Sequence, residues 1–477
     1  MGATGTARTM EALGTASGRR APGPRGAAAR SQARGGGTST SASRAPVEPQ
    51  AAYLGLDFGT SGARAMVIDD RDGVLHSEKV DYGDAEEAAG SASVWRDALF
   101  SLLGGIPSEV TSNLRAICLD GTSSTSLLVD RETWSIESRP LLYNFAARPD
   151  VVARVTTVAP EGSITRSPTS TLCKLFTWLY EDSVELTDRL LLVHQADWLA
   201  SLLLERPSPR GVSDYNNALK LGYDPKIGGY PDWMLSQAWQ SALPAQVLAP
   251  STPIGPVSRD VSSRYGIPSD CQVAAGTTDS IAAFLAAGAS SPGEAVTSLG
   301  STLAIKVLSE ARVDKVESGV YSHKLWGDLW LAGGASNTGG AVLRKFFTDE
   351  EVRELTQRID PNAPTGFGYY PLVKPGERFP VADDELKPKL EPRPADDAAF
   401  LQGILEGIAD IEARCFALLV EEGCTPVSRV LTCGGGSKNQ KWTEMRRRRL
   451  GVEVEAAAEV EAAFGSARLA RRSVAGE

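Results

Sequence analysis

The sequence predicts an α/β protein built as two domains with a cleft between them. Three observations predict it. The chain has 477 residues, beyond the size at which a single hydrophobic core stops growing, so two cores of roughly 200 residues each are expected. Short apolar runs repeatedly end in Gly-, Ser- or Thr-rich tips that lead into a second strand or a helix, the alternation of an α/β architecture. One such tip, a Gly-Thr/Ser hairpin, occurs once in each half, at residues 59–62 and 300–302. That internal repeat points to two related domains facing one ligand. The expected divisions are residues 1–50, 51–270 and 271–477.

The first hairpin comes from Tyr53–Asp69, YLGLDFGTSGARAMVID. Two apolar arms flank Gly59-Thr60-Ser61-Gly62, and glycines permit the tight backbone of such a turn. Asp57 stands beside the tip. A carboxylate next to Gly-Thr-Ser offers an oxygen ligand for hydrated Mg²⁺, close backbone N–H groups and hydroxyls for phosphate oxygens. A plain hairpin with a polar turn is the alternative, and this stretch alone does not decide between them. Residues 73–80 extend the meander, and Val94, Trp95, Ala98, Leu99, Leu102 and Leu103 share one face of a helix expected over 93–113. Leu114–Leu119 is a buried strand delivering a second polar tip, Asp120-Gly-Thr-Ser-Ser-Thr125. Ligands gather at such strand ends.

The middle of the chain is less regular. Residues 172–181 and 186–204 have helical apolar spacing, and the second includes His194, Gln195 and Asp197, either a sugar-facing patch or a capped helix junction. Residues 213–220, SDYNNALK, suit a polyol pocket or a buried turn. The second half opens with a strand at 271–275, Gly276-Thr-Thr-Asp279-Ser280 and a small-residue helix over 281–288, followed by the second hairpin over 293–307. Asp279 could equally be an N-cap for that helix, since Asp is a preferred cap. A helix begins near Ala341, residues 374–396 read as a surface loop, and 399–423 as an amphipathic helix. The strand 430–433 then enters Gly434-Gly-Gly-Ser-Lys-Asn439, where glycines between strand and helix admit a flat ligand. The run Arg446–Arg449 reads as a solvated helix face.

Composition excludes several classes. Residues 1–50 hold seven arginines and two acids, leaving 42 basic and 57 acidic residues in the remaining 427. A body that acidic is a poor partner for nucleic acid. The Arg- and Ser-rich, acid-poor head resembles a plastid or mitochondrial transit peptide, a plain unstructured tail being the alternative, so a chloroplast location is expected. No apolar run of about 18 residues is present, so no membrane span is expected. The six cysteines lack CxxC spacing and three histidines are widely separated, which argues for buried thiols and against a zinc centre.

Neither a Walker A motif nor a GxGxxG fingerprint is present. Four blocks in order, DFGTSGAR at 57–64, GTTDS at 276–280, SLGST at 298–302 and GGGSKN at 434–439, resemble the FGGY carbohydrate kinases of the actin/hexokinase/Hsp70-like superfamily. The LDGTSST block at 119–125 is similar to plant and cyanobacterial pentulose kinases acting on D-ribulose. The resemblance covers roughly residues 52–472. It implies two actin-like (ribonuclease H-like) domains, the first binding sugar and the second ATP, with Mg²⁺ as cofactor. It implies Asp279 as the catalytic base for the sugar hydroxyl and Asp57 as a sugar contact that orients Mg²⁺ through water. Thr60 and Ser61 then lie near the transferred phosphate, Gly300 and Ser301 in the second phosphate hairpin, and Gly435 and Asn439 at the adenosine, with Ser123 a further sugar contact. The expected reaction is phosphorylation of D-ribulose, with D-xylulose, or a catalytically weak sugar sensor, as alternatives. One departure concerns sugar identity: where many members carry Trp/Tyr-Asn-Asp-x-Arg, this chain reads Tyr143-Asn-Phe-Ala-Ala-Arg148.

Overall fold

The computed structural model describes residues 50–83 and 90–475; the leader expected over 1–50 lies, but for Gln50, outside the described residues. Among the described residues sixteen strands follow in chain order. β1 (Ala52–Phe58), β2 (Gly62–Ile68), β3 (Val74–Asp81) and β4 (Leu114–Gly121) open the first sheet; β5 (Ser126–Asp130) and β6 (Leu190–His194) form one separate ribbon, β7 (Val212–Asp214) and β8 (Gln246–Leu248) another. β9 (Pro253–Pro256) and β10 (Gln272–Thr278) return to the first sheet. β11 (Glu294–Leu299), β12 (Leu303–Ser309), β13 (Tyr321–Lys324), β14 (Trp330–Ser336), β15 (Arg429–Cys433) and β16 (Glu453–Ala456) make the second.

The two six-stranded sheets run β3-β2-β1-β4-β10-β9 and β13-β14-β12-β11-β15-β16. Each has an antiparallel meander followed by parallel strands, with β1, β4 and β10 parallel in one and β11, β15 and β16 parallel in the other. The parallel strands therefore deliver their ends to one edge of each sheet, as the two hairpin tips require. Strand β1 is buried along its whole length, which explains why its residues read as a continuous apolar run.

Three cores position these sheets. Leu54, Leu56 and Phe58 pack against Trp95, Leu99 and Leu102 of the helix Ala92–Gly105. Under the second sheet, Ile305 and Val430 meet Phe400, Ile404 and Ile408 of the helix Asp397–Glu421. Between the sheets lies a shared layer: Tyr53 and Ala274 from the first, Val296 and Leu431 from the second, around Ile281 and Phe284 of the helix Asp279–Ala287 and Phe464 of the helix Ala462–Ala475. Close approach there needs glycine. A Cβ on Gly55 would stand 1.9 Å from the Ala463 carbonyl oxygen, and one on Gly465 the same distance from that of Ala282.

The expected division after residue 270 falls between β9 and β10, which pair with each other. The reason is topological: β10 is the fifth strand of the first sheet and the third of its parallel block, and the Ala462–Ala475 helix packs on β1 and β4. The helix expected over 186–204 is instead β6 followed by a short helix, Gln195–Ser201. A run of four apolar residues reads as strand or buried helix alike, and here pairing with β5 decides it. All six cysteines are free, five of them buried. Among the described residues no helix is long and apolar enough to cross a membrane.

Candidate functional site

At the first sheet's edge, the β1–β2 turn is closed by the Gly59 N–H donating to the Gly62 carbonyl at 3.0 Å. Thr60 and Ser61 are exposed at its tip. Asp57 is buried and faces Arg64 on β2 and Asp120 on β4 as register partners. The Arg64 guanidinium reaches its carboxylate at 3.3 Å and Glu461 at 3.2 Å. Burial pushes the Asp57 carboxyl up, opposed by hydrogen bonding from Asp120 and by Arg64. Asp120 is pushed up far more, by full burial and then by the charge of Asp57, although the Ser466 hydroxyl donates to it at 2.6 Å. Two adjacent buried carboxyls cannot both ionise, so Asp120 keeps the proton.

The β4 tip is held from below. Ser124 adopts a left-handed backbone, φ 64°, and its carbonyl accepts from the Nζ of Lys174 at 2.6 Å. Lys174 is fully buried on the helix Thr171–Tyr180, and burial, with the nearby charge of Lys220, lowers its pKa to about 7. The Thr122 N–H donates to Gln195 at 3.1 Å. Ser123 stands half-buried at this tip.

Asp279 opens its helix one residue after Thr278, which occupies the N-cap position. Its Oδ1 accepts from the neighbouring Ser280 N–H at 2.6 Å. It is half-buried by surface area yet enclosed by protein on most sides, and this desolvation raises its pKa to about 6. The Asp57 charge acts in the same direction, while the Ser280 N–H, Lys306 and Lys220 oppose it. A carboxylate so tuned can accept a proton near neutral pH. The turn after β7 buttresses the site: Asn216 donates to Thr277 Oγ1 at 2.9 Å and Asn217 to the Thr277 carbonyl at 3.1 Å. Residues 213–218 thus form the buried turn, with Asn216 Oδ1 and Thr278 Oγ1 among the buried atoms that have no hydrogen-bond partner in the protein.

The second sheet offers a cavity of about 890 Å³, lined by Gly300, Ser301, Arg344, Phe347, Gly435 and Asn439 among others, a size that suits a nucleotide. The Gly300 and Ser301 carbonyls accept from Gly340 and Ala341 at 2.8 and 3.1 Å, docking the tip on the helix Gly340–Phe346. A Cβ on Gly435 would meet nothing within 4 Å, so the space beside it is open to a ligand. The Asn439 side chain is engaged already: it caps the helix Gln440–Leu450 at Trp442 N, 3.0 Å, and donates to Thr356 at 3.2 Å.

The structure thus gathers Asp57, Thr60, Ser61, Ser123 and Asp279 on strand ends of the first sheet, and Gly300, Ser301, Gly435 and Asn439 around the second-sheet cavity. Sequence reading missed four cations. Arg64, Lys174, Lys306 and Arg344, whose Nη2 donates to Ser301 Oγ at 2.8 Å, each stand beside one of these residues; lone lysines within apolar strand and helix runs were the available signal for two of them. His194 and Asp197 resolve to a capped helix junction, 2.9 Å apart. Arg148 of the departing block is 70% exposed and pairs with Asp150 and Glu181. The solvated face expected over Arg446–Arg449 holds for its last three residues, while Arg446 is 1% exposed and joined to Glu412 at 2.7 Å.

Residues 295–474 match the model of the C-terminal domain of the FGGY family of carbohydrate kinases. The match is a likeness of this segment alone to that family's C-terminal domain. The FGGY segment holds the whole cavity lining, while Asp57, Ser123 and Asp279 lie ahead of it. A gluconokinase and a xylulose kinase, both of Bacillus subtilis, are 23% and 27% identical to the chain over 207 and 205 residues. Those stretches span 39% and 40% of this chain and 40% of each relative's length. The solved xylulose kinase of Rhodospirillum rubrum superposes with a TM-score of 0.74 at 20% identity, covering 89% of this chain and 90% of that one. The fold around the FGGY segment is therefore the two-domain actin-like ATPase fold.

Among the described residues no group of three His, Cys, Asp or Glu side chains could hold a metal ion. Mg²⁺ needs no such cage, because it is held mainly by substrate phosphates and water with one or two carboxylates. Asp57, a hard oxygen donor beside the Gly59–Gly62 tip, fits that role.

Proposed function

We propose that this chain is an ATP-dependent carbohydrate kinase that phosphorylates a ketopentose, D-ribulose to D-ribulose 5-phosphate. The observation that carries this reading is the placement of Asp57 and Asp279 at the ends of β1 and β10, two strands flanking β4, with the large glycine-lined cavity built by the FGGY segment. Asp279 takes the proton of the sugar hydroxyl as that oxygen forms its bond to the γ-phosphorus and the bond to ADP breaks. Thr60, Ser61, Gly300 and Ser301 hold the phosphates, so that catalysis is positioning and charge stabilisation. Mg²⁺, when bound near Asp57, neutralises phosphate charge. Ser123 contacts the sugar, and the buried 213–218 turn supports the strand that leads to Asp279.

D-ribulose is favoured by the LDGTSST tip at 119–125, while the departing block at 143–148 leaves the choice of ketose to the test below. The second reading is D-xylulose, supported by the xylulose kinases among the similar proteins; gluconate stands behind it. Plastid import, directed by residues 1–50, belongs to the same proposal and is checked by following a fluorescent fusion of the full chain.

The test is ADP release by the full chain with Mg²⁺-ATP and D-ribulose, D-xylulose, gluconate or no sugar. D-ribulose is expected to give the highest kcat/KM and a 5-phosphate product by ³¹P NMR. A preference for D-xylulose reassigns the sugar; release indifferent to sugar overturns the kinase reading.

A further inference from the structure

Strand β12 reads LAIKVLS, with one charged side chain inside an apolar run. Side chains alternate faces along a strand, so Lys306 shares its face with Leu308, which packs in the layer between the two sheets. The ammonium accordingly points at the Asp279 helix. It donates to the Ser280 carbonyl, one residue past the candidate base. Among the described residues no carboxylate lies within 4.0 Å of it to form an ion pair.

Helix stability does not explain this contact. A cation at a helix N-terminus is opposed by the helix dipole, and a half-buried ammonium is partly desolvated and gains from a matching charge. Its electrostatic complement is the Asp279 carboxylate, which it draws toward the ionised form. The other ionisable groups facing Asp279 are Lys220, from the turn after β7, and Asp57 and the protonated Asp120, from β1 and β4. The β13 face adds only His323, which burial and the two lysines keep neutral.

We propose that Lys306 is a positioning residue for the candidate base: anchored in the second sheet, it holds the first turn of the Asp279 helix and sets the charge of that carboxylate across the boundary between the sheets. The word base rests on the kinase reading; the tether and its field do not. Base strength thereby depends on both sheets standing in this arrangement, because the tuning cation and the tuned acid belong to different ones.

Three variants of the full chain test this: Lys306→Met, Lys306→Gln, which can still reach the Ser280 carbonyl without charge, and Lys306→Arg. The titration of the Asp279 carboxyl is followed by ¹³C NMR, its resonance assigned with Asp279→Asn. Both neutral variants are expected to move that titration upward by about one unit, a tenfold loss of ionised carboxylate at any pH well below it. The acid limb of kcat/KM should move with it, KM for ATP staying put, and Lys306→Arg should restore both. An Asp279 titration unmoved in Lys306→Gln overturns the proposal, whether or not Lys306→Met folds. A wild-type chain that turns over no sugar sinks the kinase reading instead, and the NMR titration still decides the role of Lys306.

Discussion

The two sheets share a strand order over five positions, β3-β2-β1-β4-β10 and β14-β12-β11-β15-β16, and add their sixth strand at opposite edges. Their hairpins match residue for residue, Asp57-Phe58-Gly59 against Ser298-Leu299-Gly300. Charge is what separates them. The first sheet's ends carry Asp57, Asp120 and Asp279. The corresponding tips of the second carry Gly300, Ser301, Gly435 and Lys438, with Arg344 and Lys441 beside the cavity. A repeated frame has been divided by sign, the acidic edge suited to protons and a metal ion, the neutral-to-basic edge to a polyphosphate.

The strongest way to break that division is Asp279→Ala, expected to lower turnover by about 10²–10⁴ while ATP still binds, as read by calorimetry. Giving the first hairpin the second's residue, Asp57→Ser, should cost on the order of 100-fold, and raising Mg²⁺ should recover part of it. In the second sheet, Gly435→Val places a side chain where nothing stands within 4 Å, so Tm should hold while ATP affinity falls roughly tenfold. The smallest effect concerns pH. With Asp279 raised to about 6, kcat/KM should decline as pH drops through that value. The same raised pKa means that the folded state binds this proton more tightly than the unfolded one, so its stabilising effect is present below the unfolded carboxylate range and is lost as pH rises through about 6. Asp279→Asn should therefore be the more stable protein at pH 8 and lose its advantage by pH 4, as thermal melts at both pH values would show.

The sequence made the hairpins, the strand-end tips and the long helix over 397–421 legible, because each is a local pattern: apolar spacing bounded by glycine. It hid what depends on neighbours distant in the chain. Residues 190–194 became a strand only because β5 was there to pair with. Arg446 looks like its three neighbours until Glu412, on another helix, draws it inside. Lys306 and Lys174 were visible as letters, but their partners are backbone carbonyls, and no residue type announces those. Asp279 is not the N-cap of its helix, because Thr278 takes that position and leaves the carboxylate on the first helical residue.

The helix Ala462–Ala475 lies on β1 and β4, through Gly55, yet it leaves the ribosome roughly 400 residues after the strand it covers. At about 5–20 residues per second, the first sheet waits some tens of seconds with that face bare. The order of synthesis is therefore not the order of assembly: the earliest-made hairpin can finish only after the second sheet exists. A nascent chain halted before residue 462 would present an apolar face with Asp57 and Asp120 at its rim, a species that invites holding by a chaperone and early attack by proteases.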